Sequence, residues 1–265
     1  MPHTQAPGFR LYYEEHGSGF PLLLINGLGS DHLEWLYQRP AFTPHFRVVV
    51  FDNRGTGKSA VPPGPYTTAQ MADDAAALLK ELRISRAHVL GVSLGGMIAQ
   101  EVALRHPDLV DRLVLGCTGP GGNLSVRPSP EAMAAFSGAE GEDAEAELRR
   151  MIPFLYTDSC CRERPEEIAA FVRRRMENPT PPEGYAAQLA AAVTHDAAER
   201  LERIRAKTLV ITGDADRLVD RENSLRISGR VPDAKLVVLS GAPHRLFAEN
   251  ADAFNREVLA FLRGG

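Results

Sequence analysis

A serine between two glycines is the first group in this chain whose surroundings indicate chemistry. Ser93 lies in "GVSLG" (91–95), between an apolar strand pattern at 87–92 and a helical pattern at 94–107. In a strand-to-helix turn, G-x-S-x-G presents the serine hydroxyl as a nucleophile. The alternative is that Ser93 only caps the helix. The strand before it and the helix after it favour the nucleophile.

A serine nucleophile needs a general base, and the base needs an acid that orients it. Of the eight histidines, His244 stands just beyond the last apolar segment, "AKLVVLSG" (234–241). The carboxyl ends of parallel strands meet at one edge of a sheet, where Ser93 also lies, so we predict that His244 is the base. Asp214 and Asp216 both follow "KTLVITG" (207–213), and geometry alone leaves both open as the acid.

The elements that must position these residues alternate between short apolar strands and longer helical patterns. This alternation predicts an α/β fold with a mostly parallel, doubly wound sheet and helices on both faces. The predicted helices cover 67–84, where Thr67 or Thr68 caps the start, 94–107, and 252–265, where Asp252 is the cap. The predicted strands are 9–17, 21–26, 46–52, 87–92, 111–117, 207–213 and 234–241.

One region interrupts the alternation. Residues 119–205 contain helical patterns but no strand pattern, and strands resume at Lys207. The resumption favours a helical cap, or lid, inserted into the sheet domain over an independent helical domain. We therefore predict an α/β core at 1–118 and 206–265 and a cap at 119–205, with helices at 130–137, 142–155, 165–177 and 182–193.

Composition excludes several classes of protein. The net charge of −4 and the lack of long basic segments argue against a nucleic-acid partner. No apolar segment has the length of a membrane span, and the N-terminus lacks a signal-peptide pattern. The three cysteines, Cys117, Cys160 and Cys161, form neither a disulfide framework nor a zinc-binding pattern. We therefore expect a cytoplasmic protein without a metal site, whose oligomeric state the sequence does not indicate.

The segment "RGTGKS" (54–59) resembles the end of a phosphate-binding loop. That motif requires a glycine six residues before the lysine, but this position before Lys58 is Asp52. An aspartate would repel phosphate, so we interpret the glycines as structural residues of a sharp turn.

The chain also resembles a known family. "LLLINGLGS", "VVVFDNRGTGKS", "HVLGVSLGGMIAQ", "LVITGDADRLV" and "GAPHRLFAEN" resemble segments of the α/β-hydrolase fold superfamily, and the order Ser93…Asp…His244 agrees with it. The resemblance implies Asp216 as the acid, because family members commonly carry G-x-x-D, here from Gly213. It also implies a helical lid in the region predicted as the cap.

The resemblance further implies an oxyanion hole. Its two donors would be the backbone N–H groups of Leu94, after the nucleophile, and of Leu28 in Asn26-Gly27-Leu28. Many relatives have histidine where this chain has Asn26. The mechanism implied for the family needs no metal or organic cofactor, so we predict none.

The substrate is less well defined. Ser93 excludes the related dehalogenases and epoxide hydrolases, which carry aspartate at this position. No arginine pair can be assigned to a substrate carboxylate, because the direction of the arginines in the insertion is unknown. We therefore predict a carboxylesterase for small uncharged esters; the alternatives are an enol-lactonase or a C–C bond hydrolase of aromatic catabolism and, less favoured, a perhydrolase or a non-catalytic ligand receptor. Candidate pocket residues are Asn26, Trp35 and Cys117.

Overall fold

The centre of the molecule is a sheet of eight strands in the order β1-β2-β4-β3-β5-β6-β7-β8. The computed structural model describes residues 3–5, 8–136 and 143–264. Strands β3 to β8 run parallel to one another, whereas β2 pairs antiparallel with both β4 and β1 at one edge of the sheet. The strands are β1 (His3–Thr4), β2 (Leu11–His16), β3 (Phe20–Ile25), β4 (Phe46–Phe51), β5 (Ala87–Val92), β6 (Val110–Gly116), β7 (Lys207–Gly213) and β8 (Ala234–Leu239).

Helices cover both faces of this sheet, so the doubly wound α/β architecture predicted from the sequence is confirmed. Side chains on a strand alternate between the faces. Accordingly, Leu23 and Ile25 of β3 pack into one apolar core, and Leu22 and Leu24 pack into the other. The α-helices of the described chain are α1 (Gln38–Phe42), α2 (Thr68–Glu81), α3 (Leu94–Arg105), α4 (Pro130–Phe136), α5 (Ala144–Leu155), α6 (Asp158–Glu163), α7 (Pro165–Glu177), α8 (Pro182–Val193), α9 (Arg221–Arg230), α10 (Leu246–Glu249) and α11 (Ala251–Leu262).

Two helix starts test the capping predictions. Thr67 caps α2: its side chain accepts a hydrogen bond from the Gln70 N–H, and the Gln70 side chain accepts one from the Thr67 N–H. The predicted cap of the last helix is wrong by two residues. Asn250 occupies the cap position of α11, and Asp252 lies in the first turn, where its negative charge still favours the helix dipole.

Between β6 and β7 the described chain forms helices α4 to α8 and no strand of the sheet. Its two ends lie side by side, because Gly121 forms a β-bridge with Asp196 and the Gly122 N–H donates to the His195 carbonyl. This pairing lets the chain leave the sheet and return near the same point. Residues 137–142, which include the ends of two predicted helices, lie outside the described residues. The division into core and cap stays a prediction.

Among the described helices, none is both long enough and apolar enough to cross a lipid bilayer.

Candidate active site

Ser93 occupies a strained turn between β5 and α3. Its backbone has φ 55° and ψ −124°, a region that residues other than glycine seldom adopt. The flanking glycines are required by space: a Cβ on Gly91 would lie 2.0 Å from the Gly95 carbonyl oxygen, and a Cβ on Gly95 would lie 2.1 Å from the Ile25 oxygen. Ser93 is half-buried, and its side chain makes no capping hydrogen bond to α3. The helix-cap interpretation of this serine is therefore wrong.

His244 and Asp216 form a buried pair. The Nδ1 of His244 lies 2.9 Å from the Oδ2 of Asp216, and the two side chains are 5% and 0% exposed. The other carboxylate oxygen of Asp216 accepts hydrogen bonds from the backbone N–H groups of Leu218 and Val219, each 2.8 Å long. Because a carboxylate accepts, the neutral imidazole carries its proton on Nδ1, and its Nε2 lone pair is available as a base.

Asp214 has a different partner. It is exposed, and its Oδ1 accepts a hydrogen bond of 2.6 Å from the Gly241 N–H in the turn after β8. The two aspartates that spacing left as alternatives therefore differ in the structure, since only Asp216 contacts the histidine.

The sheet brings the candidate residues to one edge. Ser93 follows β5, Asp216 follows β7 and His244 follows β8, and Cys117 follows the intervening β6. The Ser93 N–H donates to the Gly116 carbonyl at 2.9 Å, which ties the serine turn to the end of β6. The Ser93 hydroxyl makes no hydrogen bond to another residue of the described chain, so the structure joins Asp216 to His244 but does not join His244 to Ser93. Catalytic hydrogen bonds are often long before substrate binds.

The two predicted oxyanion donors belong to two segments near Ser93, the start of α3 and the turn after β3. Leu94 is the first residue of α3, so its N–H has no acceptor within the helix. Leu28 lies in a turn at 27–30, and a Cβ on Gly27 would lie only 3.4 Å from the Ser93 Cβ. Neither N–H donates to another described residue, so both are available to a ligand.

The three candidate pocket residues lie inside the protein. Asn26, Trp35 and Cys117 are each 0% exposed. The Asn26 side chain donates to the Phe51 carbonyl at 2.9 Å, which anchors the loop after β3. Burial raises the pKa of the Cys117 thiol, so this cysteine stays protonated. Trp35 and Cys117 also belong to one of the two apolar cores, so all three have a structural role, and a role in lining a substrate pocket stays a prediction.

A buried charge cluster borders the same edge, and the sequence did not reveal it. Glu34 forms an ion pair with Arg245, the residue after His244, and lies 3.9 Å from Arg175 of α7. Burial alone would raise the pKa of Glu34, but the two arginines outweigh it and lower that pKa. Arg175 also donates to the Ser30 hydroxyl at 2.6 Å. The arginines considered from the sequence are exposed instead: Arg127, Arg149 and Arg173.

These elements define a class of protein: a doubly wound sheet that carries a strained serine and a histidine–aspartate pair at the ends of its strands. A family model described as alpha/beta hydrolase fold matches residues 21–251. The chain belongs to the α/β-hydrolase fold family.

Individual relatives are similar over nearly their full length. A protein of Caulobacter sp. (strain K31) named "Putative carbamate hydrolase RutD" is 32% identical, with 96% of each chain covered. The enol-lactonase from Burkholderia xenovorans LB400 is 30% identical, with a TM-score of 0.87 and coverage of 99% of this chain and 100% of that one. A thermophilic esterase from Thermogutta terrifontis is 32% identical, with a TM-score of 0.83 and coverage of 96% and 93%. Family and relatives together support a hydrolytic enzyme.

Proposed function

We propose that this protein is a serine hydrolase that cleaves carboxylic esters through an acyl-enzyme. Ser93 is the nucleophile, His244 the general base and Asp216 the acid that orients it. The observation that carries the proposal is the strained backbone of Ser93, which leaves a half-buried hydroxyl free of structural hydrogen bonds. Strain of this kind costs free energy and persists where function uses it.

The mechanism follows from these roles. His244 Nε2 takes the proton from the Ser93 hydroxyl as the serine oxygen bonds to the ester carbonyl carbon. The N–H groups of Leu28 and Leu94 stabilise the negative oxygen of the tetrahedral intermediate. The bond to the alcohol oxygen then breaks, and His244 returns the proton to that oxygen. Water, deprotonated by the same histidine, attacks the acyl-enzyme and releases the carboxylic acid and Ser93.

Small uncharged esters are the proposed substrates. Arg127, Arg149 and Arg173 of the insertion are exposed, so they are not placed to bind a buried carboxylate, which supports an uncharged substrate. The thermophilic esterase among the structural relatives supports ester cleavage as the reaction.

A second candidate is the hydrolysis of an enol-lactone or another substrate that carries a carboxylate. Arg175 favours it, since its guanidinium contacts Ser30 in the 27–30 turn that carries Leu28. The enol-lactonase relative points to the same class of substrate. Cleavage of a carbon–carbon bond or of a carbamate would use the same serine nucleophile, so substrates of both kinds are included in the test below.

Hydrolysis of p-nitrophenyl acetate and butyrate by the wild type and by Ser93→Ala tests the proposal. We expect the variant to lose at least about 10³-fold in kcat, because a nucleophile cannot be replaced by the remaining groups. Ser228→Ala is the matched control, since Ser228 lies on α9 and donates only to the Leu225 carbonyl. Phenylmethylsulfonyl fluoride should label Ser93, which mass spectrometry of the digested protein detects. Equal rates for the wild type and Ser93→Ala would contradict the proposal.

The substrate class is tested by comparing kcat/KM across a panel. It contains neutral esters of increasing acyl length, an enol-lactone with a free carboxylate, a dienoate ring-fission product and a carbamate. The highest value for a short neutral ester supports the carboxylesterase. A clear preference for the enol-lactone would replace it with the second candidate.

A further inference from the structure

The turn at 27–30 is held in place by residues of the insertion between β6 and β7. Its Gly29 N–H donates to the Oε1 of Gln188 at 2.9 Å, and its Gly29 carbonyl accepts from the Thr180 hydroxyl at 2.8 Å. Gly29 itself has φ 60°, and a Cβ there would lie 3.0 Å from the Tyr185 ring. At Gly29, therefore, the turn takes hydrogen bonds and packing from this insertion.

Gln188 bridges two loops of the sheet domain with one side chain. Its Oε1 accepts from the Gly29 N–H, and its Nε2 donates to the Arg54 carbonyl at 2.7 Å. The side chain is 0% exposed. Only this orientation of the amide satisfies both backbone groups, because the opposite one would put a donor against a donor and an acceptor against an acceptor. Gln188 thus has one defined geometry.

The helix that carries Gln188 cannot shift easily. Near the start of α8, a Cβ on Gly184 would lie 2.2 Å from the Gly55 carbonyl oxygen. The backbones of the helix and of the loop after β4 are therefore in direct contact. Close-packed contacts of this kind transmit small displacements rather than absorb them.

Two hydrogen bonds fix the peptide planes on either side of Leu28, one inside the turn and one to Gln188. In a trans peptide the N–H and the preceding C=O point in opposite directions. The Gly27 carbonyl accepts from the Ser30 N–H at 3.3 Å, inside the turn, so the Leu28 N–H points out of it. The next peptide plane is fixed by the bond from the Gly29 N–H to Gln188. Both planes that meet at Leu28 are thereby set.

We infer that Gln188 is a positioning residue for catalysis: it fixes the peptide plane that follows Leu28 and so holds the 27–30 turn that presents the Leu28 N–H to the oxyanion hole, and Thr180 assists it. The inference rests on the proposed function, because it assigns Leu28 the role of oxyanion donor. It gives α8 a role in positioning the oxyanion hole.

The first test replaces Gln188 by methionine, which has a similar length and forms neither hydrogen bond. We expect kcat on p-nitrophenyl butyrate to fall about 10- to 100-fold while KM changes little, because a misplaced donor weakens binding of the transition state more than of the substrate. Thr180→Val, which keeps the shape and removes one hydrogen bond, should lower kcat in the same direction by a smaller factor.

A merely structural role would give a different result. Gln38→Met is the matched control: Gln38 is also 0% exposed, and its Nε2 bridges the Phe247 carbonyl at 2.6 Å and Asn255 at 3.0 Å without a bond to the 27–30 turn. Both variants should lose stability in urea unfolding. Only Gln188→Met should weaken inhibition by phenylboronic acid, which forms a tetrahedral adduct with the serine, by the same factor as kcat/KM.

Wild-type kcat and boronate inhibition in a folded Gln188→Met protein would overturn the inference. If Gln188→Met does not fold, Thr180→Val provides the test, and wild-type kcat and boronate inhibition in Thr180→Val would overturn the inference in the same way. The Ser93→Ala variant separates a failure of the proposed function from a failure of the inference about Gln188. If it hydrolyses esters at the wild-type rate, the proposed function fails and the inference fails with it; if it is inactive while Gln188→Met keeps full activity, only the inference fails.

Discussion

The Nδ1 of His244 lies 2.9 Å from the Oδ2 of Asp216, although 28 residues separate them in the chain. The loops that carry them follow the neighbouring strands β7 and β8. Two backbone N–H groups hold the other oxygen of the aspartate, so its carboxylate faces the imidazole in a single orientation. An acid fixed in this way can keep the histidine in one tautomer throughout the reaction.

Replacing Asp216 by asparagine should therefore abolish most activity. The amide can still accept from Leu218 and Val219, so the fold should persist, but its NH2 group would face Nδ1 and favour the wrong tautomer. We expect kcat for p-nitrophenyl butyrate to fall about 10³- to 10⁴-fold. Asp214→Asn is the control, because Asp214 bonds only to the Gly241 N–H; it should change kcat by less than about tenfold. A larger loss in Asp214→Asn than in Asp216→Asn would reverse the assignment.

The tight serine turn predicts a large effect of one methyl group on stability. In Gly91→Ala the new Cβ would overlap the Gly95 carbonyl oxygen at 2.0 Å, so we expect a loss of about 3 kcal/mol or more in the free energy of unfolding. Gly229→Ala is the contrasting case, since a Cβ on this residue of α9 would meet no atom within 4 Å. It should gain about 0.5 kcal/mol from helix propensity. Urea unfolding curves measure both, and similar values for the two variants would refute the packing argument.

Arg175 separates the two candidate substrate classes. Its charge is already engaged by Ser30 and by Glu34, so Arg175→Met should lower kcat/KM for a neutral ester and for a carboxylate-bearing ester by the same factor. Kinetics with p-nitrophenyl butyrate and mono-p-nitrophenyl succinate provide the comparison. Arg173→Met, an exposed site on the same helix, should match the wild type. A loss confined to the succinate ester would favour the second candidate.

Buried His195 predicts a dependence of stability on pH. Its Nδ1 lies 2.9 Å from the Thr68 hydroxyl, and burial lowers its pKa to about 4. In the unfolded chain the His195 imidazole binds a proton near pH 6.5, whereas in the folded chain it does so only near pH 4. The free energy of unfolding therefore falls as the pH falls through this window.

Replacing this histidine should reduce that dependence. In His195→Asn, whose amide oxygen can accept from Thr68, the loss of unfolding free energy between pH 7 and pH 5 should shrink by about 1 to 2 kcal/mol. Part of the dependence should remain, because burial also lowers the pKa of His88 to about 4. Urea unfolding at several pH values gives the measurement, with His45→Asn at an exposed position as the control. An unchanged dependence in His195→Asn would show that His195 titrates normally.

Several elements were predictable from the sequence because local rules govern them. Strands β5 and β7 begin and end where their apolar segments do, at Ala87–Val92 and Lys207–Gly213, since a buried parallel strand must be apolar throughout. The sequence limited the N-cap residue of α2 to Thr67 or Thr68, and the structure has Thr67 there. The glycines around Ser93 indicated its turn, because few other residues tolerate such close backbone contacts.

What the sequence by itself determined was seven of the eight strands in their chain order, the serine turn, and the strand ends that carry the histidine and the aspartates; the two-residue β1 was not predicted. These features depend on residues close together in the chain. Spacing left Asp214 and Asp216 open and the family resemblance implied Asp216, but only the tertiary structure showed its contact with His244. Only the tertiary structure, too, decided that Arg175 and Gln188 of the insertion reach the 27–30 turn. The physical reason is that such contacts join segments far apart in sequence, as the separation of 159 positions from Gly29 to Gln188 illustrates, and the direction of a side chain on a helix follows from how that helix packs.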